Sequence, residues 1–218
     1  MWRSTAIVEP SKSFAAEFLA YALERLVAPR ILVLGAAVAA CTAVASGSQH
    51  PEVSAPLAFL LVWQFRLWDD LNDLGVDRVL HPGRVLVRSA ALRGFAATVV
   101  AGVLAVGLTL ALVAGAARAL AYAGLVAAFA AGYRLLRGSP RRLLRAHWVL
   151  AKYPAIVFLA AWHPVIGRAG PVAVLLYLVL CLIEITDDSG LRGLREARAV
   201  AAAEAIAIAG IIVYMVFL

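Results

Sequence analysis

Seven apolar runs, each near the length of a bilayer crossing and joined by short connections, dominate this chain. A hydrocarbon interior offers the backbone no water, so long apolar runs separated by short basic loops leave helices as the economical way to satisfy the amides. The expected fold is an all-α, polytopic transmembrane helical bundle. Composition agrees. With 64% hydrophobic residues, 15% charged residues and a mean hydropathy of +0.90, a soluble domain of 218 residues would lack polar surface. The runs fall at residues 27–46, 56–73, 92–113, 119–136, 146–162, 171–185 and 200–218. Some are shorter than the roughly 20 residues of an untilted crossing, the fifth and sixth most clearly. Ahead of them, residues 13–26 set Phe14, Phe18, Tyr21 and Leu26 against Glu17, Glu24 and Arg25, the pattern of a helix lying along the surface. Residues 1–12 hold no apolar core followed by a small-residue cleavage site, so no cleavable signal peptide is expected. The chain therefore divides into an N-terminal segment, 1–26, and a transmembrane domain, 27–218.

Basic residues give this bundle an orientation. With seven crossings, sixteen of the twenty Lys and Arg fall on one side, in the N-terminal segment and the two-three, four-five and six-seven connections. Arg118 and Arg168 lie on the other side, and Arg66 and Lys152 within runs. By the positive-inside rule the crowded side is cytoplasmic and the C-terminus is opposite, as expected for an inner (cytoplasmic) membrane protein. The net charge of +7 needs no nucleic acid to explain it: arginine-rich loops on one side are what topology demands, and no stacking aromatics interleave the arginines in a groove-like pattern. Cys41 and Cys181 both sit inside apolar runs and read as small core residues. His50, His81, His147 and His163 are scattered, which speaks against a histidine metal site. Trp2, Trp148 and Trp162 fit interfacial anchoring.

Seven of the thirteen acidic residues are gathered at the ends of two runs. Asp69, Asp70, Asp73 and Asp77 close the second, and Glu184, Asp187 and Asp188 close the sixth. On a helix Asp69, Asp73 and Asp77 share a stripe, and Glu184 and Asp188 repeat the i, i+4 spacing. Both groups fall on the basic side. Carboxylates at a helix C-terminus oppose its dipole and repel one another, so a chain that keeps them there needs a reason. Oxygen donors without neighbouring cysteine or histidine suit Mg2+, which holds most of its water and binds through a few carboxylates plus substrate phosphates. The alternative is a pair of ordinary acidic caps, more natural for the shorter second group. Arg66 precedes Asp70 by four residues and is expected to pair with it. Lys152 reads equally as a site residue or as a lysine snorkelling to the headgroups. Arg141, Arg142 and Arg145 read mostly as topology signals, with contact of one of them to phosphate as the alternative, and Glu204 has either a site arginine or a neighbouring protomer as its partner.

These residues resemble the UbiA superfamily of intramembrane prenyltransferases. Asp69-Asp70-x-x-Asp73-x-x-x-Asp77 is similar to its NDxxDxxxD motif with Asp for Asn, and Glu184-x-x-x-Asp188 to its DxxxD with Glu first. Tyr133-x-x-x-Arg137 resembles YxxxK with Arg for Lys, and His81-Pro82-Gly83-Arg84-Val85-Leu86 resembles a basic segment after the first motif. The order and the placement on runs two, four and six also match, over about residues 30–198. Members usually have nine membrane helices, so the last two have no counterpart in this sequence.

The resemblance implies a UbiA-like bundle and Mg2+-dependent transfer of an isoprenyl group from an isoprenyl diphosphate to a small aromatic or lipid-like acceptor. It implies two Mg2+ ions, one on Asp69, Asp73 and Asp77 and one on Glu184 and Asp188, with Asp70 and Asp187 as ligands or close supports. Asp73, Asp77, Asp188 and Tyr133 carry the catalytic expectation, and Arg84, Arg137 and Lys152 are expected to hold the diphosphate. Trp63, Phe65, Trp68 and Phe158 are available to line the isoprenyl tail. A terpene cyclase of the same superfamily is the nearest rival. A CDP-alcohol phosphotransferase needs a DGxxAR run and a glycine four before Asp73, where this chain has Asp69. A cation transporter would want its acids near mid-membrane rather than at the cytoplasmic ends.

Overall fold

The computed structural model describes residues 13–137, 139 and 141–217, all in helices and their connections. Trp2, Arg3, Lys12 and Leu218 lie outside the described residues. In chain order the helices are α1 Phe14–Tyr21, continued by a π-helical turn Ala22–Leu26, α2 Pro29–Ala45, α3 Pro51–Asn72, α4 Leu74–Leu80, α5 Val85–Arg88 and α6 Leu92–Ala114. They continue with α7 Ala116–Leu135, α8 Arg142–Leu150, α9 Lys152–Ala160, α10 Ile166–Asp187, α11 Ser189–Arg192 and α12 Ala197–Val216. Among the described residues, five segments are long and apolar enough to cross a membrane: α6, α7, α8 with α9, α10 and α12. A sixth is α2 joined to the preceding Phe14–Leu26 segment across a 70° bend. These helices are compatible with an integral membrane protein. The 22-residue α3 is not among them, because Glu52, Gln64, Arg66, Asp69 and Asp70 lower its apolarity.

The bundle is built around α2, α3, α9 and α10, with α6 beside α3, α7 beside α6 and α9, and α12 beside α10. Apolar side chains gain little by leaving lipid for protein, so close backbone approach and polar pairs must hold such helices together. Gly35 lets the Phe59 ring lie on α2; a Cβ there would be 2.4 Å from it. Gly132 similarly admits Trp148, whose indole then packs 5.4 Å from the Phe129 ring. Gln64 of α3 donates to the buried Tyr122 hydroxyl of α7, a class of bond worth about 0.6 kcal/mol on average. Thr42, Ser46 and Thr98 return their hydroxyls to the carbonyl four residues back, which satisfies them inside the apolar layer, whereas the buried Ser54 hydroxyl of α3 has no partner among the described residues.

The surface helix expected over residues 13–26 is present and docks on the bundle. Phe14 and Tyr21 meet Phe95 of α6, each with ring centroids 5.4 Å apart, and Tyr21 is fully buried. Glu24 accepts the Val85 amide at 2.9 Å and Glu17 accepts the Ser89 hydroxyl, so α1 and its π-helical turn clasp α5 at its two ends. The expected fifth run is α8 and α9, offset at Ala151, where the chain turns without losing its direction across the bundle. The sixth starts earlier than its apolar pattern, because Gly167, Gly170 and Pro171 are absorbed into the first turns of α10.

The alternation of helices brings the C-terminal ends of α3, α7 and α10 to one end of the bundle, together with the N-terminal end of α8. Contacts identify it: Arg145 of α8 bonds Asp73, and Arg142 lies within reach of Gly190 just after α10. The other end is closed by Trp162 N donating to Ser46 Oγ, Val165 N to the Ala45 carbonyl, and Arg118 to the Ala161 carbonyl.

Candidate functional site

The first acidic group straddles a helix break. α3 stops at Asn72, Asp73 caps it, and α4 begins at Leu74, so Asp77 sits one turn into a new helix. Each carboxylate then meets its own cation. Asp69 accepts from Lys152 Nζ and from the Tyr133 hydroxyl. Asp70 accepts Arg25 at 2.8 and 3.0 Å, Tyr21 at 2.9 Å and Arg66 at 3.1 Å. Asp73 pairs with Arg145 at 2.8 Å and Asp77 with Arg84 at 2.5 Å.

Burial separates these pairs into two kinds. Asp69, Asp70 and Asp77 are only 5–6% exposed, and stripping a partner from a buried ion pair costs about 3–5 kcal/mol. Asp73 and Arg145 are roughly half exposed at the side chain, 48% and 42%, and such a pair is worth about 0–1 kcal/mol. Asp73 is therefore the carboxylate that can change partner most cheaply. Asp70 is the opposite case, with both oxygens filled by three side chains; the expected Arg66 contact is there, and Arg25 and Tyr21 join it. Asp70 thereby anchors α1 to α3, which leaves little of it for a metal ion.

Lys152, expected at the diphosphate, is fully buried at the start of α9 and is committed to Asp69. Its ammonium also lies 5.2 Å from the Tyr153 ring centroid and 5.9 Å from that of Phe129. Snorkelling is excluded by that burial: desolvation is offset by the carboxylate and two aromatic faces. Arg84 and Arg137 stay closer to solvent, and Arg137 lines a cleft of about 30 Å3 with Asn72, Asp73, Tyr133, Arg145 and Trp148. That is room for about one water.

In the second group, Glu184 and Asp187 are exposed at the end of α10, and Glu184 is within electrostatic reach of Arg66 and Lys152. The two groups therefore share one end of the bundle. Asp188 caps α11, its Oδ1 accepting Gly190 N at 2.7 Å and Leu191 N at 3.2 Å. The capping alternative thus describes one of Asp188's oxygens and leaves Glu184 unexplained.

Beneath the acidic end lies an aromatic wall: Phe65 stacked on Trp68, Trp68 against Tyr133 at 5.5 Å, and Phe129 against Tyr133 and Trp148. Of the aromatics expected along an isoprenyl tail, Phe65 is sealed in the core and Trp63 packs on the α1 side. Phe158 faces outward, and Trp68 is the one that adjoins the carboxylates. A roomier cavity, about 350 Å3, lies at the far end between Pro56, Leu60, Leu110, Val113 and Trp162, remote from every acid of the two groups.

In sequence Arg145 is one of three arginines open to a topology or a phosphate role, and only the docking of α8 on Asp73 singles it out; Arg25 and Tyr21, which hold Asp70, carry no site signal in the sequence. Comparison with protein families, curated proteins and solved structures returns no match for the chain.

Proposed function

We propose that the acidic end is a Mg2+–diphosphate site, and that the protein transfers an isoprenyl group from an isoprenyl diphosphate to a small aromatic or lipid-like acceptor. This carries forward the resemblance to UbiA prenyltransferases, with seven crossings and the site at the cytoplasmic face of the membrane. The observation that supports it best is the meeting of Asp73, Arg145, Tyr133 and Arg137 in one cleft, on the same end as Glu184. The donor set fits the ion: Asp73, Glu184 and Asp187 are accessible oxygen ligands, and Asp69 and Asp77 stand behind them. Magnesium, when bound, supplies positive charge to a leaving diphosphate.

This chain's own residues do the rest. Asp73 would hold the ion, and Arg145, now paired with Asp73, would stand with Arg137 and Arg84 as a donor for phosphate oxygens. Arginine presents a planar fork to phosphate, so Arg137 in place of the usual lysine binds two oxygens at once. The Lys152–Asp69–Tyr133 chain fixes the phenol at the cleft, where its oxygen, with its one proton donated to Asp69, offers a lone pair. Trp68, partly buried beside the carboxylates, supplies a π-face for an allylic cation, and the buried Phe129 behind it helps keep water out. The same wall would serve the rival reading, a terpene cyclase, in which the cation is captured within its own chain.

The test is mass spectrometry of products from a panel of isoprenyl diphosphates with purified protein and Mg2+, with and without aromatic acceptors. Acceptor-linked products that vanish with chelator and in Asp73→Ala support transfer. Hydrocarbon or terpenol release without acceptor supports cyclisation. Undiminished turnover in Asp73→Ala refutes the metal assignment.

A further inference from the structure

A second cluster, outside the acidic end, joins three helices: His147 of α8, Cys181 of α10 and Glu204 of α12. One donor atom from each lies within 4.8 Å of the others. Glu204 is 6% exposed, with Oε1 2.8 Å from His147 Nε2 and Oε2 buried without a hydrogen-bond partner among the described residues. The histidine tautomer is constrained by its other nitrogen, Nδ1, which lies 2.8 Å from the Leu143 carbonyl. A carbonyl only accepts, so Nδ1 carries the proton and the Nε2 lone pair of the neutral ring points at the carboxylate. Two lone-pair groups face to face need a cation between them, either a proton or a metal ion. A ligating histidine characteristically donates its other N–H to a backbone carbonyl.

We propose that His147 Nε2, Cys181 Sγ and Glu204 bind a thiophilic divalent cation, Zn2+ before all others. One sulfur, one imidazole and one carboxylate form a borderline-soft set, unlike the oxygen donors of the acidic end. Zinc bond lengths of about 2.0–2.3 Å place tetrahedral donors roughly 3.3–3.7 Å apart, a small adjustment from the separations here. The charges balance: thiolate and carboxylate offset the dication, so the surrounding apolar side chains bury no net charge. Binding requires Cys181 to lose its thiol proton to solvent. The unpartnered Glu204 Oε2 gains a use, as second carboxylate ligand or as acceptor for a zinc-bound water. The site ties α12 to α8 and α10, and it does not rest on the prenyl-transfer reading.

The test is Co2+ and Zn2+ titration of full-length protein in detergent micelles, after removal of any affinity tag and prior metal. The expected result is one equivalent of Co2+ giving a sulfur-to-cobalt charge-transfer band, displaced by Zn2+ and unaffected by excess Mg2+. Cys181→Ser loses the band and Cys41→Ser keeps it. Zinc X-ray absorption of the parent protein, which needs no variant to fold, is expected to show one sulfur with nitrogen and oxygen neighbours. A shell without sulfur, or a band that survives Cys181→Ser, would overturn the proposal and leave a His147–Glu204 proton-sharing pair.

Discussion

Replacing Lys152 with methionine isolates the buried pair on which the acidic end depends. Methionine matches the length of the stem and removes only the ammonium. Asp69, 6% exposed, would retain the Tyr133 hydroxyl but lose its counter-ion. An uncompensated buried charge of this kind costs about 3–5 kcal/mol. For a chain of this size each kcal/mol moves the melting temperature by about 2–4 °C, so Lys152→Met should melt roughly 6–20 °C below the parent. Asp69→Asn should be similarly damaging, since it strands the ammonium. The double variant Asp69→Asn/Lys152→Met removes both charges and should recover about 2 kcal/mol or more relative to the sum of the singles. Tryptophan fluorescence during thermal unfolding in one detergent reads all four proteins, with Trp68 beside Tyr133 reporting the site itself. Additive losses, or a Lys152→Met protein melting within about 2 °C of the parent, would show that this pair carries no net weight.

Asp73→Asn should cost under about 1 kcal/mol in the same unfolding assay, because its pair with Arg145 is half exposed, yet abolish product formation by mass spectrometry. Asp70→Asn should do the reverse in kind: it should lower stability by about 3 kcal/mol and loosen α1, seen as faster proteolysis near Arg25. Tyr21→Phe removes one charge-assisted bond to Asp70 and should cost about 1.5–3 kcal/mol by thermal unfolding. Gly132→Val should displace the Trp148 indole, costing about 1–3 kcal/mol and shifting its fluorescence; a folded variant with unchanged emission would refute that contact.

The helical class was readable because apolar runs leave the backbone no other choice, and the co-location of the two acidic groups followed from counting turns between them. Helix ends were less readable. α3 begins at Pro51, five residues ahead of the apolar run that starts at Pro56, because polar Glu52 and Ser54 disguise its first turns, and α10 absorbs the glycines that suggested a connection. Partnerships across the bundle were the least readable. Arg66 could be paired with Asp70 because both lie on one helix, whereas Arg25, Arg84 and Arg145 reach their carboxylates only through the docking of other elements. His147, Cys181 and Glu204 carry no local signature, since each sits alone in its own helix. Glu204 meets a histidine rather than the arginine or neighbouring protomer considered for it.

The polarity of α3 bears on how the chain is made. Arg66, Asp69 and Asp70 each oppose partition from the translocon into lipid, by up to about 2.5–3.5 kcal/mol at mid-bilayer and less near the headgroups. Alone, this segment is a poor candidate to leave the lateral gate. Arg25 and Tyr21, which bond Asp70 in the folded protein, precede α3 in the chain, and Lys152, the partner of Asp69, follows it by some eighty residues. If α3 enters the bilayer, one of its charges has its partner already made and the other does not, so deleting the first amphipathic helix should impair integration of α3.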